Sequence, residues 1–341
     1  MIRAQRVQFT TMKGIINLHK EPGMSSHAVV AAVRKITGEK KTGHPGTLDP
    51  MASGVLPILV GGATRCSDRF LDMEKTYVGT ARFGLTSDTQ DVWGNIISRQ
   101  APEAVKVTEE QVREALKAFS GDILQRPPVF SALKKDGKPL YKLARKGIQI
   151  EIDERPVKVY EAGLIRFFRE EGCPAAEIRI TCGRGTYIRT IINDLGEALG
   201  AGAVMSALKR VSYGGFRLEN SFTLGDLAAL AEEGRLGEAV SPIETVFPGE
   251  PEVNLSERAK LSYMQGKNVI LPRSAISGGA CDTQDGIGEL VGKNREVLVK
   301  SGGVLFATAK LAAAVDIDGN ARLSADGSPM VRLVPERYFG E

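Results

Sequence analysis

The most informative stretch of this sequence is Gly43-His44-Pro45-Gly46-Thr47-Leu48-Asp49-Pro50-Met51-Ala52-Ser53-Gly54. Four of its first eight residues are Gly or Pro, so the stretch is predicted to form a loop rather than a helix or a strand. It contains two side chains that can take part in chemistry, those of His44 and Asp49. Asp directly before Pro is also a common helix start, so the residues alone leave two interpretations of Asp49: a helix cap or a reactive carboxylate.

The composition is that of an ordinary globular protein, and its charge is unevenly distributed. The 341 residues are 42% hydrophobic and 25% charged, which excludes collagen-like, coiled-coil and largely disordered chains. The formal net charge is only +4, but residues 123–148 contain seven basic residues against the single acidic residue Asp136. Such a patch can bind a polyanion, or it can be an ordinary solvated face.

Neither the cysteines nor the histidines have the spacing of a metal site. Cys66, Cys173, Cys182 and Cys281 form no C-x-x-C pair, and all three histidines lie within the first 44 residues. The glycine motifs of phosphate-binding and dinucleotide-binding loops are missing from the sequence. The N-terminus lacks the apolar region of a signal peptide, and no apolar stretch is long enough to span a bilayer. We therefore predict a cytoplasmic protein with reduced thiols and without a metal, a cofactor or a membrane partner.

Strand and helix patterns do not alternate regularly along the chain, which favours an α+β fold over a doubly wound sheet. A helix is predicted from about His27 to Ile36, capped by Ser26, and a capping box over residues 108–111 begins another. Prolines cluster at residues 242–251, and the short strand patterns beyond them predict a second, β-rich domain.

The loop at 43–54 closely resembles the catalytic motif of the TruB family, the bacterial tRNA pseudouridine-55 synthases. It matches every fixed position of the family pattern G-H-x-G-[TA]-L-D-P-x-A-[ST]-G. Further segments that resemble family motifs, in the family's order, are Lys20–Ser26, Glu74–Tyr77, Thr86–Asp91, Ser131–Tyr141 and Gly185–Thr190. The sequence departs from the family only slightly, with Glu21 inserted before Pro22 and Ser87 in place of a threonine. The resemblance favours the reactive-carboxylate interpretation of Asp49 over the helix cap.

The resemblance implies three catalytic residues. Asp49 is the expected nucleophile, Arg189 its ion-pair partner, and Tyr77 the residue that stacks on the target base and takes part in proton transfer. A carboxylate can form a covalent intermediate and leave again, and a nearby cation keeps it ionised. The other implied substrate contacts are His44, which supports the flipped-out RNA, and Lys20, Tyr187 and Leu208. From the residues alone, Tyr77 and Leu208 could equally be core residues, and Arg189 could be an exposed helix residue.

The resemblance also implies a fold and a domain organisation. We expect a pseudouridine-synthase-like core with a mixed, largely antiparallel sheet flanked by helices, and a small C-terminal β-rich, PUA-like domain that binds RNA. The expected boundaries are an N-terminal extension at 1–13, a catalytic domain at 14–245 and the C-terminal domain at 250–341. A loop at 123–155 is expected to act as a thumb that grips RNA. The side chains expected to contact the RNA backbone are Lys134, Lys135, Lys138, Lys142, Arg145 and Lys146.

The function implied is the isomerisation of uridine 55 in the T-loop of tRNA to pseudouridine, with flipping of the target base. The expected enzyme is a monomer that binds the T-stem-loop and needs no cofactor. Two alternatives stay open: an RNA-binding protein or tRNA-folding chaperone without catalysis, and a pseudouridine synthase that acts on another RNA. The point of attack by Asp49, at C1′ or C6 or along a glycal route, also stays open.

Overall fold

The computed structural model describes residues 12–131, 133–135, 137–140, 152–278, 296–315, 322–325 and 329–340, with the backbone alone at 134, 135, 138 and 139. Among these residues the α-helices are α1 (Ser26–Thr37), α2 (Glu109–Leu116), α3 (Ile188–Ala198), α4 (Leu224–Glu232) and α5 (Glu257–Met264). The strands of the N-terminal part are β1 (Gly14–Lys20), β2 (Thr42–Gly43), β3 (Ser53–Val60), β4 (Lys75–Phe83), β5 (Leu85–Ser87), β6 (Ile96–Arg99), β7 (Gly121–Gln125), β8 (Lys134–Lys135), β9 (Lys138–Pro139), β10 (Arg155–Glu170), β11 (Cys173–Cys182), β12 (Ala203–Tyr213), β13 (Phe216–Arg217) and β14 (Val240–Ser241). The C-terminal strands are β15 (Glu252–Leu255), β16 (Val269–Pro272), β17 (Ile276–Ser277), β18 (Glu296–Ser301), β19 (Val304–Ala313) and β20 (Met330–Tyr338). Short 3-10 helices lie at Gly61–Phe70, Lys117–Phe119, Leu218–Asn220, Leu236–Ala239, Ile243–Val246 and Arg273–Ala275.

A large mixed sheet forms the centre of the N-terminal part. Its strands run in the order β14-β1-β3-β12-β4-β11-β10-β7, with β13 paired to β12 and β2 to β3. Every pair is antiparallel except β3 with β12, which run parallel. Helices α1, α3 and α4 bury apolar residues in the same core as the central strands. The predicted α+β fold with a mixed, largely antiparallel sheet is thus confirmed.

Helix α1 begins one residue earlier than predicted, because Ser25 rather than Ser26 caps it. The Ser25 hydroxyl accepts a hydrogen bond from the amide of Ala28, and Gly38 ends the helix in the left-handed conformation with φ of 71°. The Ser26 hydroxyl instead bonds to both the amide and the carbonyl of Leu48, at 2.9 Å each. The prediction of Ser26 as the cap was therefore wrong, since that side chain is needed by a loop 22 residues away.

A second sheet lies in the C-terminal part, with the strand order β16-β20-β19-β18-β15-β17. Its core contains Val253, Val297, Val299, Phe306 and Leu333, all nearly fully buried. Burying one such side chain contributes about 1.5–3 kcal/mol. The predicted β-rich character of the C-terminal region is confirmed.

The two sheets meet in a third apolar cluster. Phe70 and Tyr213 from the N-terminal part pack in this cluster with Leu298, Leu305 and Phe339 from the C-terminal part. The approach is close, since a Cβ added at Gly62 would lie 1.9 Å from the carbonyl oxygen of Phe339. The N-terminal part and the C-terminal sheet therefore share a packed interface.

Across the stretches of chain described above, no helix has the length and apolar character needed to cross a bilayer.

Candidate active site

The loop that carries Asp49 joins β2 to β3 and contains no helix. The amide of Ala52 donates to the carbonyl of Asp49 at 3.0 Å in a turn, and strand β3 begins at Ser53. Asp49 therefore does not cap a helix, and the helix-cap interpretation is wrong. Its carboxylate is 40% exposed and available to a ligand.

Buried donors hold this loop by its backbone carbonyls. The Lys20 ammonium donates to the carbonyls of Glu21, Pro50 and Ala52 at 3.1, 3.0 and 2.5 Å, and it is 1% exposed. Burial lowers the pKa of Lys20 to about 8, against the opposing effect of the Asp49 carboxylate. The structure thus places Lys20, a predicted substrate contact, beneath the loop rather than in the pocket that Asp49 lines.

A pocket of about 300 Å³ lies above the loop. The predicted residues that line it are Asp49, Tyr77, Tyr187, Arg189 and Leu208. The pocket is also lined by side chains to which the sequence analysis gave no role, namely Lys75, Ser131, Ile188 and Arg210. The lining extends from Gly46 to Arg210, so residues separated by up to 164 positions in the chain are brought to one concave site.

Arg189 connects the pocket to three separate segments. It lies in the first turn of α3, is 7% exposed, and its Nε is 3.3 Å from Oδ2 of Asp49. Its Nη1 donates to the carbonyl of Thr89 at 3.0 Å, and its Nη2 donates to the carbonyl of Phe130 at 3.0 Å. These two backbone hydrogen bonds fix the orientation of the buried guanidinium, so that it faces the Asp49 carboxylate.

Asp91 is a second carboxylate on the same arginine, and the sequence analysis gave it no role. Its Oδ2 lies 3.5 Å from Nη1 of Arg189, while its Oδ1 accepts hydrogen bonds from the Thr89 hydroxyl and the Trp93 amide. The sequence did contain a signal for this residue. Asp91 is the last residue of the segment Thr86–Asp91, which resembles an acidic turn of the family. Asp91 positions Arg189, which in turn pairs with Asp49.

Tyr77 faces the pocket from β4, in register with Arg210 on β12 and Ile180 on β11. Burial raises the pKa of the Tyr77 phenol, and the nearby Arg210 guanidinium opposes that rise. Two positions earlier, burial lowers the pKa of Lys75 to about 8, and its ammonium donates to backbone carbonyls of residues 71 and 73. Two basic side chains, Lys75 and Arg210, therefore line the floor of the pocket, and hydrogen bonds to backbone carbonyls hold Lys75 in place.

Tyr187 and Leu208 form the remaining predicted wall. The backbone of Tyr187 makes two hydrogen bonds with the Gln125 side chain, at 2.8 and 3.0 Å. Burial raises the pKa of the Tyr187 phenol, while a hydrogen bond with Ser131 acts in the opposite direction. Leu208 lies on β12 and is 9% exposed. Gln125 ends β7, so the strand that leads into the basic segment also fixes this wall.

His44 lies outside the residues that line the pocket. Its ring meets that of His27 edge-on, with 5.4 Å between the centroids. Burial, with smaller effects of His27 and Arg210, lowers the pKa of His44 to about 4. The imidazole is therefore neutral near pH 7.

This lowered pKa predicts an acid-sensitive contribution to stability. Between pH 6.5 and about 4 the unfolded chain protonates at His44 while the folded protein does not, so the free energy of unfolding falls as the pH falls through this window. In His44→Gln that part of the pH dependence should be lost, with no change in slope above the window. Urea unfolding of both proteins, above and within the window, measures the difference. Equal slopes within the window would contradict the assignment.

The basic segment is described only in part. Lys134 and Lys135 form β8 and Lys138 lies on β9, in a small hairpin whose side chains are not described. Lys142, Arg145 and Lys146 lie outside the described residues. At the base of the segment, β7 pairs with β10, from Arg155 opposite Gln125 to Val159 opposite Gly121.

Two family models match this chain in succession. The model of the TruB family pseudouridylate synthase N-terminal domain matches residues 34–188. The model of the tRNA pseudouridylate synthase B C-terminal domain matches residues 189–247. Both matches end before the C-terminal sheet begins at β15.

The chain is also similar to several curated proteins and solved structures. The protein named tRNA pseudouridine synthase B from Dehalococcoides mccartyi is 40% identical over 260 residues, which are 76% of this chain and 85% of that protein. Its namesake from Staphylococcus saprophyticus is 41% identical over 248 residues, 72% of this chain and 81% of that protein. Among solved structures, a chain of a Cbf5-Nop10-Gar1 complex is similar with a TM-score of 0.63 and 28% identity, over 96% of this chain and 84% of that one. A chain of an H/ACA RNP bound to a substrate RNA containing 2′-deoxyuridine is similar with a TM-score of 0.63 and 27% identity, over 96% and 85%.

Proposed function

This chain belongs to the TruB family of pseudouridylate synthases, and on that premise we propose that it isomerises uridine 55 in the T-loop of tRNA to pseudouridine. The observation that carries the proposal is the pairing of Asp49 with Arg189 at 3.3 Å, in a pocket that Tyr77 shares. The curated relatives named tRNA pseudouridine synthase B support tRNA as the substrate.

Asp49 is the proposed nucleophile. The reaction breaks the N1–C1′ bond of uridine, forms a C5–C1′ bond and moves one hydrogen from C5 to N1, so it is balanced without a redox partner. A half-exposed carboxylate can attack and later leave, which divides a difficult step into easier ones. The Arg189 guanidinium, itself fixed by Asp91 and two carbonyls, pairs with that carboxylate at 3.3 Å and orients it in the pocket. We therefore expect no requirement for a metal or a cofactor.

The pocket walls would confine the uracil while it turns. We propose that Tyr77 stacks on the base and takes part in proton transfer, with Tyr187 and Leu208 closing the sides. The target base must leave its stack to reach this pocket, and the neutral imidazole of His44 supports the displaced RNA beside it. Lys20 contributes from below, since two of its three hydrogen bonds hold carbonyls of the loop that carries Asp49.

We propose that the basic segment 123–155 is the thumb that grips the T-stem-loop. Its base is fixed to the pocket, because Gln125 holds Tyr187 and the carbonyl of Phe130 accepts from Arg189. The proposed domains remain 14–245 for catalysis and 250–341 for auxiliary RNA binding of the PUA-like kind, after an extension at 1–13. We further propose that the enzyme works in the cytoplasm as a monomer.

The thumb predicts a steep salt dependence of tRNA binding. Replacing Lys142, Arg145 and Lys146 together with Gln should make the slope of log K against log salt shallower by about 2–3, since each lost phosphate contact removes about 0.7–0.9. Binding titrations over a range of salt concentrations measure this slope. The matched control replaces Arg113, Lys117 and Arg235, which already pair with glutamates. An unchanged slope in the thumb variant would make the segment a solvated face.

The proposal is tested with a tRNA transcript that carries tritium at uridine C5. The wild-type protein alone should release tritium, because C5 loses its hydrogen when the new C–C bond forms. In a transcript in which only uridine 55 is replaced by cytidine, the release of tritium should be abolished. Release that persists would indicate another target position.

The same experiment separates the two alternatives. A chaperone without catalysis would bind the transcript and release no tritium. A synthase that needs a guide RNA, an alternative that the similarity to a Cbf5 complex keeps in view, would not act on a bare T-stem-loop without further components. We favour the tRNA synthase because the relatives that share about 40% identity with this chain carry that name.

A further inference from the structure

Arg210 is a buried cation that pairs with no carboxylate among the described residues. It is the largest of the fully buried side chains, at 1% exposure, and none of the ion pairs formed within the described ranges includes it. Burying a charge is costly unless other groups satisfy it. Its contacts therefore indicate why a guanidinium is kept at this position.

Two of these contacts lie on either side of Asp49 in the chain. The Nε of Arg210 donates to the carbonyl of Val55 at 2.7 Å, and Nη2 donates to the carbonyl of Gly46 at 3.2 Å. Its Cζ lies 4.9 Å from the centroid of the Tyr213 ring, a cation–π arrangement that compensates part of the lost hydration. The guanidinium thus links Gly46, before Asp49, to Val55, after it, through two hydrogen bonds.

Tyr77 is the cross-strand neighbour of Arg210. Arg210 and Tyr77 lie opposite each other on β12 and β4, so their side chains share one face of the sheet, and the charge of the guanidinium opposes the rise that burial causes in the pKa of the phenol. The other ionisable groups that interact with this phenol are Cys182 on β11, Tyr213 on β12 and Asp49 itself. A single side chain thereby bonds to the loop of Asp49 and lies beside Tyr77 on the same face of the sheet.

We propose that Arg210 is a positioning residue, whose guanidinium sets the separation and orientation of the Asp49 loop and the Tyr77 hydroxyl without touching the RNA. The proposal rests on the function proposed above. A lysine could keep the charge but could not donate to both carbonyls from one fixed plane beside Tyr77, because the planar fork of arginine supplies several fixed donors.

The test is a double-mutant cycle between Arg210 and Tyr77 under single-turnover and steady-state conditions. Arg210→Met should lower kcat for tritium release by about 100-fold, the loss typical of a small misplacement at a reacting centre, with KM for tRNA within about threefold. Arg210→Lys should lower kcat less, since it retains some of the contacts. In a Tyr77→Phe background the loss caused by Arg210→Met should shrink to about one tenth, because the hydroxyl on which Arg210 acts is already absent. A purely structural role would leave the two losses multiplicative.

Arg82→Met is the matched control. Arg82 is also a buried arginine of the central sheet, pairs with Glu171 at 2.7 Å and does not line the pocket. Its kcat should stay near that of the wild type, and its effect should multiply with that of Tyr77→Phe. Thermal melting of every variant reports folding, and if Arg210→Met does not fold, the cycle with Arg210→Lys decides. Multiplicative losses, a loss confined to KM, or a wild-type rate in Arg210→Lys would overturn the proposal. A wild-type protein that releases no tritium would instead reject the function itself.

Discussion

Replacing Asp49 with Asn is expected to lower the rate of tritium release by about 10⁴-fold or more, as when a nucleophile is removed from a catalytic set. The amide has the size of the carboxylate but neither its charge nor its nucleophilicity. Arg189 keeps Asp91 and two backbone carbonyls as partners, so the pocket should retain its shape. Single-turnover tritium release measures the rate, and filter binding measures the affinity for tRNA.

Binding should change by less than about threefold in this variant, because phosphate contacts supply most of the affinity. Asp72→Asn is the control, since that carboxylate is 82% exposed and does not line the pocket. Tritium release in Asp49→Asn above a tenth of the wild-type rate would reassign the nucleophile. A loss of affinity equal to the loss of rate would show that Asp49 mainly binds RNA.

Arg189→Lys is expected to lower kcat by about 100-fold or more, although the charge is conserved. The guanidinium contacts Asp49, Asp91 and the carbonyls of residues 89 and 130 at once. A lysine ammonium is a compact charge with three donors, so it cannot contact both carboxylates and both carbonyls at once. Asp49 would therefore lose its fixed orientation. KM for tRNA should stay nearly constant, because Arg189 is buried. The measurement is the separation of kcat from KM in steady-state assays.

Arg179→Lys is the matched control for this variant. Arg179 is exposed on β11, so the same substitution there should leave kcat unchanged. If Arg189→Lys turns over at the wild-type rate, the four-contact geometry is not needed for catalysis. If its loss appears in KM, the arginine contacts the substrate rather than the nucleophile.

The motif around Asp49 predicted the loop, and the wider family resemblance implied the fold and five of the residues that line the pocket. It gave no role to Lys75, Ser131, Ile188 or Arg210, which line the pocket as well. Sequence spacing could not predict which of two adjacent serines caps α1, because both can form that bond. The choice depends on Leu48, a loop residue that only the folded chain brings to Ser26. A local sequence pattern contains information only on neighbouring residues, whereas the partner of Ser26 lies 22 residues away in the chain.

The charged residues beneath the loop were the least predictable part of the site. Lysines and arginines are usually exposed, so composition gave no sign that these two are buried. The resemblance implied that Lys20 contacts the substrate, and Arg210 was given no role. Both are buried because several backbone carbonyls of the loop turn inward and need donors. Such a demand arises from the loop's folded shape and leaves no periodic signal in the sequence.

Tyr213 lies at the boundary between two parts of the molecule. One contact is with Phe70, whose cluster includes Leu305 and Phe339 of the C-terminal sheet, and the ring also carries the cations of Lys75 and Arg210. The C-terminal sheet is therefore part of the foundation of the pocket floor, in addition to any hold it has on RNA. A truncated enzyme would accordingly be a poor reporter of RNA recognition, because its catalytic geometry and heat tolerance would change together with its affinity.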